Sequence, residues 1–137
     1  TAHTGELQVR EFAREQDQAV AIFLDLHIAS DAHEWFEDAV NCCAFLLWRL
    51  NERGVRMRFV TQRFACCVPD DATVYDVLRY LARVESERAG KPALPHGSEI
   101  EIAFSTNPEI VRESGWPRAR IIGPLDMPQT EPAAKLP

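Results

Sequence analysis

Basic runs are missing from this 137-residue chain, and so is any surplus of positive charge: 15 Lys and Arg stand against 21 Asp and Glu. Proteins that neutralise phosphate backbones need clustered Lys and Arg, so neither nucleic acid nor an anionic membrane surface is an expected partner. Long apolar runs are missing too. The longest, residues 39–47, is interrupted by Asn41 and closes at Arg49, whereas a bilayer span takes about 20 apolar residues. No direct membrane insertion by this segment is therefore expected. No basic stretch followed by an apolar one opens the chain, so no secretory leader is read from it, and the expected location is cytoplasmic. The chain starts at Thr1, as a processed chain or an excised fragment would.

Cysteine is scarce and oddly placed. The four fall in two adjacent pairs, Cys42-Cys43 and Cys66-Cys67, and neighbouring side chains diverge on a helix or a strand. That is not the C-x-x-C spacing of zinc knuckles or redox motifs. Both pairs lie among apolar residues, where a free thiol behaves as a small hydrophobe in a reducing compartment. A G-x-S-x-G nucleophile elbow is absent, and Gly90-Lys91 lacks the upstream glycine and the following Ser or Thr of a phosphate-binding loop. Neither cysteine pair has a sequence-local base to activate it. The catalytic residues expected from these patterns are none.

What is present reads as one folded domain. Apolar residues reach 46% of the chain, enough to build a single core at this length. Residues 7–12 carry Leu7, Val9 and Phe12 between polar neighbours and predict a half-exposed strand. Residues 19–24 (Ala-Val-Ala-Ile-Phe-Leu) form a continuous apolar run, which predicts a strand buried on both faces of a parallel sheet. It ends at Asp25, and ligand crevices of open α/β sheets lie outside the carboxyl ends of central strands.

Asp31 and Glu34 have the spacing of a capping box, predicting a helix from about residue 32. Its core stripe is Phe36, Val40, Cys43, Leu47 and Leu50, and Gly54 fits the stop. Trp35, Phe45 and Trp48 widen the apolar face and predict packing on more than one side. Residues 55–60 alternate, directing Arg56 and Arg58 toward water. Gln62 and Arg63 leave room only for a hairpin turn before a strand at residues 64–68. Thr73 and Asp76 offer a second N-cap, with a helix of about four turns expected to reach Arg88. Residues 90–97 read as a loop, residues 99–104 as a strand, residues 107–113 as a short helix opened by Pro108, and residues 119–122 as a last strand. The expected fold is α/β, a mostly parallel sheet with one antiparallel hairpin strand and helices on both faces. It occupies residues 1–123; Pro124, Pro128, Pro132 and Pro137 mark residues 124–137 as a Pro-rich disordered tail.

The segment from Thr4 to Asp25, Thr-Gly-Glu-Leu-Gln-Val-Arg-Glu-Phe-Ala-Arg-Glu-Gln-Asp-Gln-Ala-Val-Ala-Ile-Phe-Leu-Asp, resembles the signature of the bacterial domain-of-unknown-function family 58. The likeness continues through Glu37-Asp38-Ala39-Val40, the helix stop at Gly54, the strand to Thr61 and Val77-Leu78-Arg79-Tyr80-Leu81-Ala82, so that it spans residues 4–84. The resemblance implies a Rossmann-type von Willebrand factor A-like domain. It also implies the C-terminal portion of a longer, membrane-anchored parent, or a shortened relative, and a protein partner of the MoxR-type AAA+ ATPase class. Related A-type domains hold Mg²⁺ in an Asp-x-Ser-x-Ser loop after the first central strand, through hard oxygen ligands. Here the loop reads Asp25-Leu26-His27-Ile28-Ala29, so His27 and Ala29 stand where the hydroxyls belong. Ser30 substitutes only if the loop is shifted by one residue, and Ser105, Thr106 or Asn107 can reach it from a neighbouring strand end. The adopted reading has no cofactor, with Mg²⁺ disfavoured and Asp25 structural; the candidate metal ligands, should one bind, are Asp25, His27 and Ser30.

Three further constellations carry chemistry in their residue types. Asp25, His27, Asp31, His33, Glu34 and Glu37 surround one strand-to-helix loop and are the right residue types for a transition metal. They lack the second His of H-E-x-x-H, and helix capping with solvated side chains accounts for them. That metal-dependent binding domain or hydrolase is the alternative to an interaction module. Trp116 before Pro117 and Trp35 near the helix start are read as exposed interface anchors. Arg49, Arg53, Arg56, Arg58 and Arg63 are read as a basic docking edge, with Arg56 and Arg58 at its centre. Open strand edges make a homodimer a further expectation.

Overall fold

The structure is a computed structural model and describes residues 19–28, 31–87, 100–124 and 126. The strand expected at residues 7–12, the loop at 90–97 and all of the proline-rich tail except Pro124 and Asp126 lie outside the described residues.

The run at residues 19–24 forms β1, Val20–Leu24, with every residue buried. It is the middle strand of a five-stranded sheet ordered β3-β2-β1-β4-β5. The helix α1, His33–Glu52, leads to β2, Met57–Val60, which pairs parallel with β1. A tight turn then reverses the chain into β3, Ala65–Val68, the antiparallel edge. The helix α2, Val74–Leu81, returns the chain to β4, Ile100–Phe104, parallel to β1 on its other side. The short α3, Pro108–Glu113, and β5, Arg120–Ile122, complete the parallel part. The α/β class, mixed sheet and central place of β1 are those read from the sequence.

The alternation of strand residues divides the interior in two. Val20, Ile22 and Leu24 of β1 join Met57, Phe59, Cys66 and Val68 beneath α1 and α2, meeting the α1 stripe of Phe36, Val40, Cys43 and Leu47. Ala21 and Phe23 point the other way and pack with Val60, Ala103, Val111 and Trp116. Helices thus cover both faces, α1 and α2 on one and α3 on the other.

Helix ends show which local signals decide. The Thr73–Asp76 capping box forms: Asp76 N donates to the Thr73 hydroxyl, and the Asp76 carboxyl accepts from Thr73 N. The bond from Thr73 N, joined by one that the Thr73 hydroxyl donates to the same carboxyl oxygen at 3.0 Å, holds the exposed Asp76 carboxyl below its usual range, with Arg79 a lesser contribution. The corresponding expectation for α1 is corrected. Its N-cap is Ala32, without a side-chain cap, and Asp31 is exposed one residue too early to serve. The expected four turns of α2 are also corrected: it ends at Leu81. Arg83 N bonds the Tyr80 carbonyl with 3₁₀ spacing, and the chain departs so that Glu87 N can donate to the Leu26 carbonyl.

At the end of α1, Gly54 N donates to the Asn51 carbonyl and Val55 N to the Leu50 carbonyl, the paired bonds of a Schellman stop. Gly54 has φ +71° and open space where a Cβ would stand. Gly54→Ala is therefore expected to lower stability by about 1 kcal/mol through backbone strain alone. Urea unfolding checks the value, and an unchanged midpoint contradicts it.

Candidate functional site

β1 delivers Asp25 to the carboxyl end of the sheet, between the ends of β2 and β4. Asp25 N donates to the Phe104 carbonyl at 2.9 Å, so the residue continues the β1–β4 ladder by one step. Its side chain is 4% exposed. Oδ1 accepts from Gln62 Nε2 at 2.7 Å and from His27 N at 3.0 Å. Oδ2 accepts from Ser105 Oγ at 2.6 Å. All three donors are neutral, and they come from the β2–β3 turn, the loop after β1 and the residue after β4.

Each partner is itself held. The Gln62 amide uses its oxygen to accept from Leu26 N at 3.0 Å, so one side chain binds both ends of the Asp25-Leu26 step. Ser105 Oγ accepts from Asn107 N at 3.0 Å while donating to Asp25, and Ser105 N donates to the Ile122 carbonyl. Asn107 in turn caps α3 through Ile110 N. The result is a polar clasp joining the carboxyl ends of β2, β1 and β4 to the start of α3. A carboxyl group has about four acceptor positions, and three are occupied here from within the chain.

The sequence placed Ser105 near Asp25 through the ends of neighbouring strands, and the structure joins them. Gln62, expected only as a turn residue, was missed. Its sole sequence signal is a polar amide just past a strand that runs parallel to β1. Ser30 and Ala29 lie outside the described residues. His27 is exposed, as are His33, Glu34 and Glu37 on α1. Among the described residues no three His, Cys, Asp or Glu side chains gather in a group able to hold a metal ion.

No family model, curated protein or solved structure matches the chain.

Three sequence-level readings of the surface are corrected. Trp116 is fully buried, stacked on Phe23 with ring centroids 5.5 Å apart, and Trp35 is 9% exposed. Neither is an interface anchor, because the β4-α3-β5 crossover folds Trp116 over the sheet and Trp35 packs into the main core. Phe45 and Trp48 are the exposed aromatics of α1, and Trp48 meets the Tyr75 ring of α2 edge-on at 5.9 Å rather than entering the core. The arginines do not form one edge. Arg56 is exposed before β2, Arg58 is half-buried on the face opposite α1, and Arg63 pairs with Glu87 at 2.6 Å beyond the other end of β2. Arg49 and Arg53 line a separate groove beside β4 and β5.

Cys43 and Cys66 belong to the interior, while Cys42 and Cys67 are part-buried. Burial pushes the Cys66 thiol up to about 11 and raises Cys43 further, so neither supplies thiolate near neutral pH. Tyr80, which shares a 2.8 Å hydrogen bond with Thr61 and stacks on Phe64, is likewise raised by burial. Among the described residues no helix is long and apolar enough to cross a membrane.

Proposed function

We propose that this chain is a noncatalytic protein-interaction module of the von Willebrand A type, with a degenerate metal-ion-dependent adhesion loop and a MoxR-type AAA+ ATPase as its partner. The observation that carries the reading is the occupancy of Asp25. In an adhesion loop the leading carboxylate faces a hydrated cation; here the corresponding carboxyl accepts from Gln62, Ser105 and His27 N. The residues at the two hydroxyl positions are His27 and Ala29. A mostly parallel sheet with one antiparallel hairpin strand is the architecture that the resemblance implies, and it supports the A-type reading. The ATPase partner, the cytoplasmic location and a membrane-anchored parent rest on that resemblance.

Two measurements test this. Isothermal titration with Mg²⁺, Mn²⁺ and Zn²⁺ is expected to show no saturable site, and about 10 mM Mg²⁺ is expected to leave Tm unchanged. A site with Kd near 0.1 mM would instead add about 2.7 kcal/mol at that concentration. Stoichiometric binding lost in Asp25→Ala contradicts the degenerate loop. For the partner, the parent protein is expected to retain a MoxR-type ATPase in a reciprocal pull-down of purified proteins, and failure to retain it sinks that assignment.

A further inference from the structure

The groove beside β4 and β5 carries more information than its apolar character. It encloses about 510 Å³. Its floor is Ile102, Phe104 and Ile122, the residues of β4 and β5 that face the α1 side of the sheet. Its wall is the flank of α1 beside the fully buried stripe: Cys42, Leu46, Arg49 and Arg53, with Phe45 and Leu50 beside them, of which Cys42, Leu46 and Leu50 also pack partly against the core. Those positions recur at three- and four-residue spacing and so lie along one side of the helix. From residue 42 to residue 53 the wall runs for about three helical turns, roughly 17 Å.

The layer geometry gives the groove its shape. Strands lie about 4.8 Å apart and packed helices about 8–10 Å apart, so a helix lying on one face covers about two strands. On this face α1 packs against α2 and against β1 and β2, and the next helix-wide position is the one above β4 and β5. Phe45, on its lip, is 66% exposed.

The rim carries the charge signal. In a chain whose formal charge is −6, Arg49, Arg53 and Arg120 surround this groove against one carboxylate, Asp126. Arg49 lies over the Phe45 ring at 5.9 Å and, among the described residues, makes a distant exposed contact of 3.8 Å with Glu52. Exposed pairs of that kind contribute little and are readily exchanged.

We infer that this groove docks an acidic amphipathic helix of about three turns from a partner protein, its apolar stripe on Ile102, Phe104 and Ile122 and its carboxylates facing Arg49, Arg53 and Arg120. This deepens the reading of the chain as an interaction module and is independent of the fate of the Asp25 loop. Residues 127–137 are a poor match for the same position: Pro128, Pro132 and Pro137 oppose a helix, and their one acid, Glu131, is offset by Lys135. A helix-in-groove mode needs anchors at i, i+3 or i+4, and i+7, and the wall and floor extend far enough to take them.

The probe is a fluorescein-labelled peptide of about 14 residues, leucines along one face and glutamates on both flanks, with a lysine-for-glutamate twin. Fluorescence anisotropy with the full chain is expected to saturate with Kd of about 10–100 μM, to weaken as salt rises, and to be at least about tenfold weaker for the lysine twin. Phe45→Ser, and Arg49→Glu with Arg120→Glu, are each expected to weaken binding about tenfold or more while circular dichroism and Tm stay near wild type. All the altered side chains are exposed, so folding is not the confounder. No saturation by about 1 mM, equal binding of the twin, or indifference to these variants overturns the inference. A dimer by light scattering that Phe45→Ser dissociates gives the groove to a second copy and also overturns it. Tight Mg²⁺ binding at Asp25 would undo the proposed function while leaving the groove result in place.

Discussion

Trp116→Ala is expected to lower the free energy of unfolding by about 3–5 kcal/mol, the range for removing a large aromatic from a packed interior. Trp116 has no exposed surface and stacks on Phe23 of the central strand. It anchors the smaller core, where it meets Val60, Ala103, Val111 and Ala119. Among the described residues α3 is the helix over that face, so few of them can collapse into the space and the cavity contribution should lie toward the upper end. Trp116→Phe separates shape from polarity. The indole Nε1 is buried without a hydrogen-bond partner among the described residues, and leaving such a donor unpaired costs about 1–3 kcal/mol. Phenylalanine removes that penalty as it gives up part of the packing. Its net cost is expected below about 2 kcal/mol. Urea unfolding followed by circular dichroism measures both, since fluorescence changes with the residue itself. A cost for Trp116→Ala under about 1 kcal/mol would mean that the second face of β1 is not a core.

The sequence carried much of this architecture because hydrophobic periodicity is a local record of burial. Residues 19–24 have no polar interruption, and only a strand covered on both faces needs that. The Arg56-Met57-Arg58-Phe59 alternation gives a face to each residue of β2, and the two-residue gap at Gln62 and Arg63 forbids a crossover. Polarity did not predict exposure equally well. Trp116 sits among polar and turn-forming residues, Ser114, Gly115, Pro117 and Arg118, and its burial is produced by a crossover that brings residue 116 back over residue 23. No window of neighbours records that contact. In the same way Phe45 and Trp48 read as core by residue type, yet they lie on the side of α1 turned away from the sheet and stay exposed. The arginines follow from topology as well: Arg56 and Arg63 are close in sequence, but β2 lies between them and places them beyond its opposite ends.

The candidate site was half legible for a related reason. Asp25 was found because a buried strand must end somewhere and that end is where open sheets expose chemistry. Ser105 follows from the parallel partner strand. Gln62 does not, because a turn amide gives no hint whether it faces water or reaches back 37 positions to a carboxyl. The capping box at Asp31 failed where the one at Thr73 held, although the spacing is the same. A capping motif states a local preference, and α1 starts one residue later, with Ala32 at its N-cap and no side-chain cap.

Asp25→Ala is the second large effect expected, and its sign discriminates between two kinds of site. Alanine leaves Gln62 Nε2, Ser105 Oγ and His27 N without their acceptor in a position closed to water. The expected loss is about 2–4 kcal/mol, or roughly 8–20 °C in Tm for a domain of this size. Asp25→Asn keeps an oxygen for Gln62 and His27 N. Its amide can donate to Ser105 Oγ, whose second lone pair is available beside the one used by Asn107 N. Only the Ser105 proton loses its acceptor, so the expected cost is about 1 kcal/mol. Gln62→Ala removes one donor to Asp25 but also strips Leu26 N, so Asp25→Ala and Gln62→Ala combined should cost less than their sum, as members of one network do. A carboxylate held ready for a cation behaves oppositely: functional sites are commonly strained against stability, and neutralising them leaves stability unchanged or raised. A stabilised Asp25→Asn, or a wild-type Tm that climbs with Mg²⁺ while Asp25→Asn stays flat, would mark Asp25 as a ligand. A destabilised series in the order Ala, then Asn, with no response to metal, marks it as the knot that ties the ends of β2, β1 and β4 together, and leaves recognition to the surfaces that those strands support.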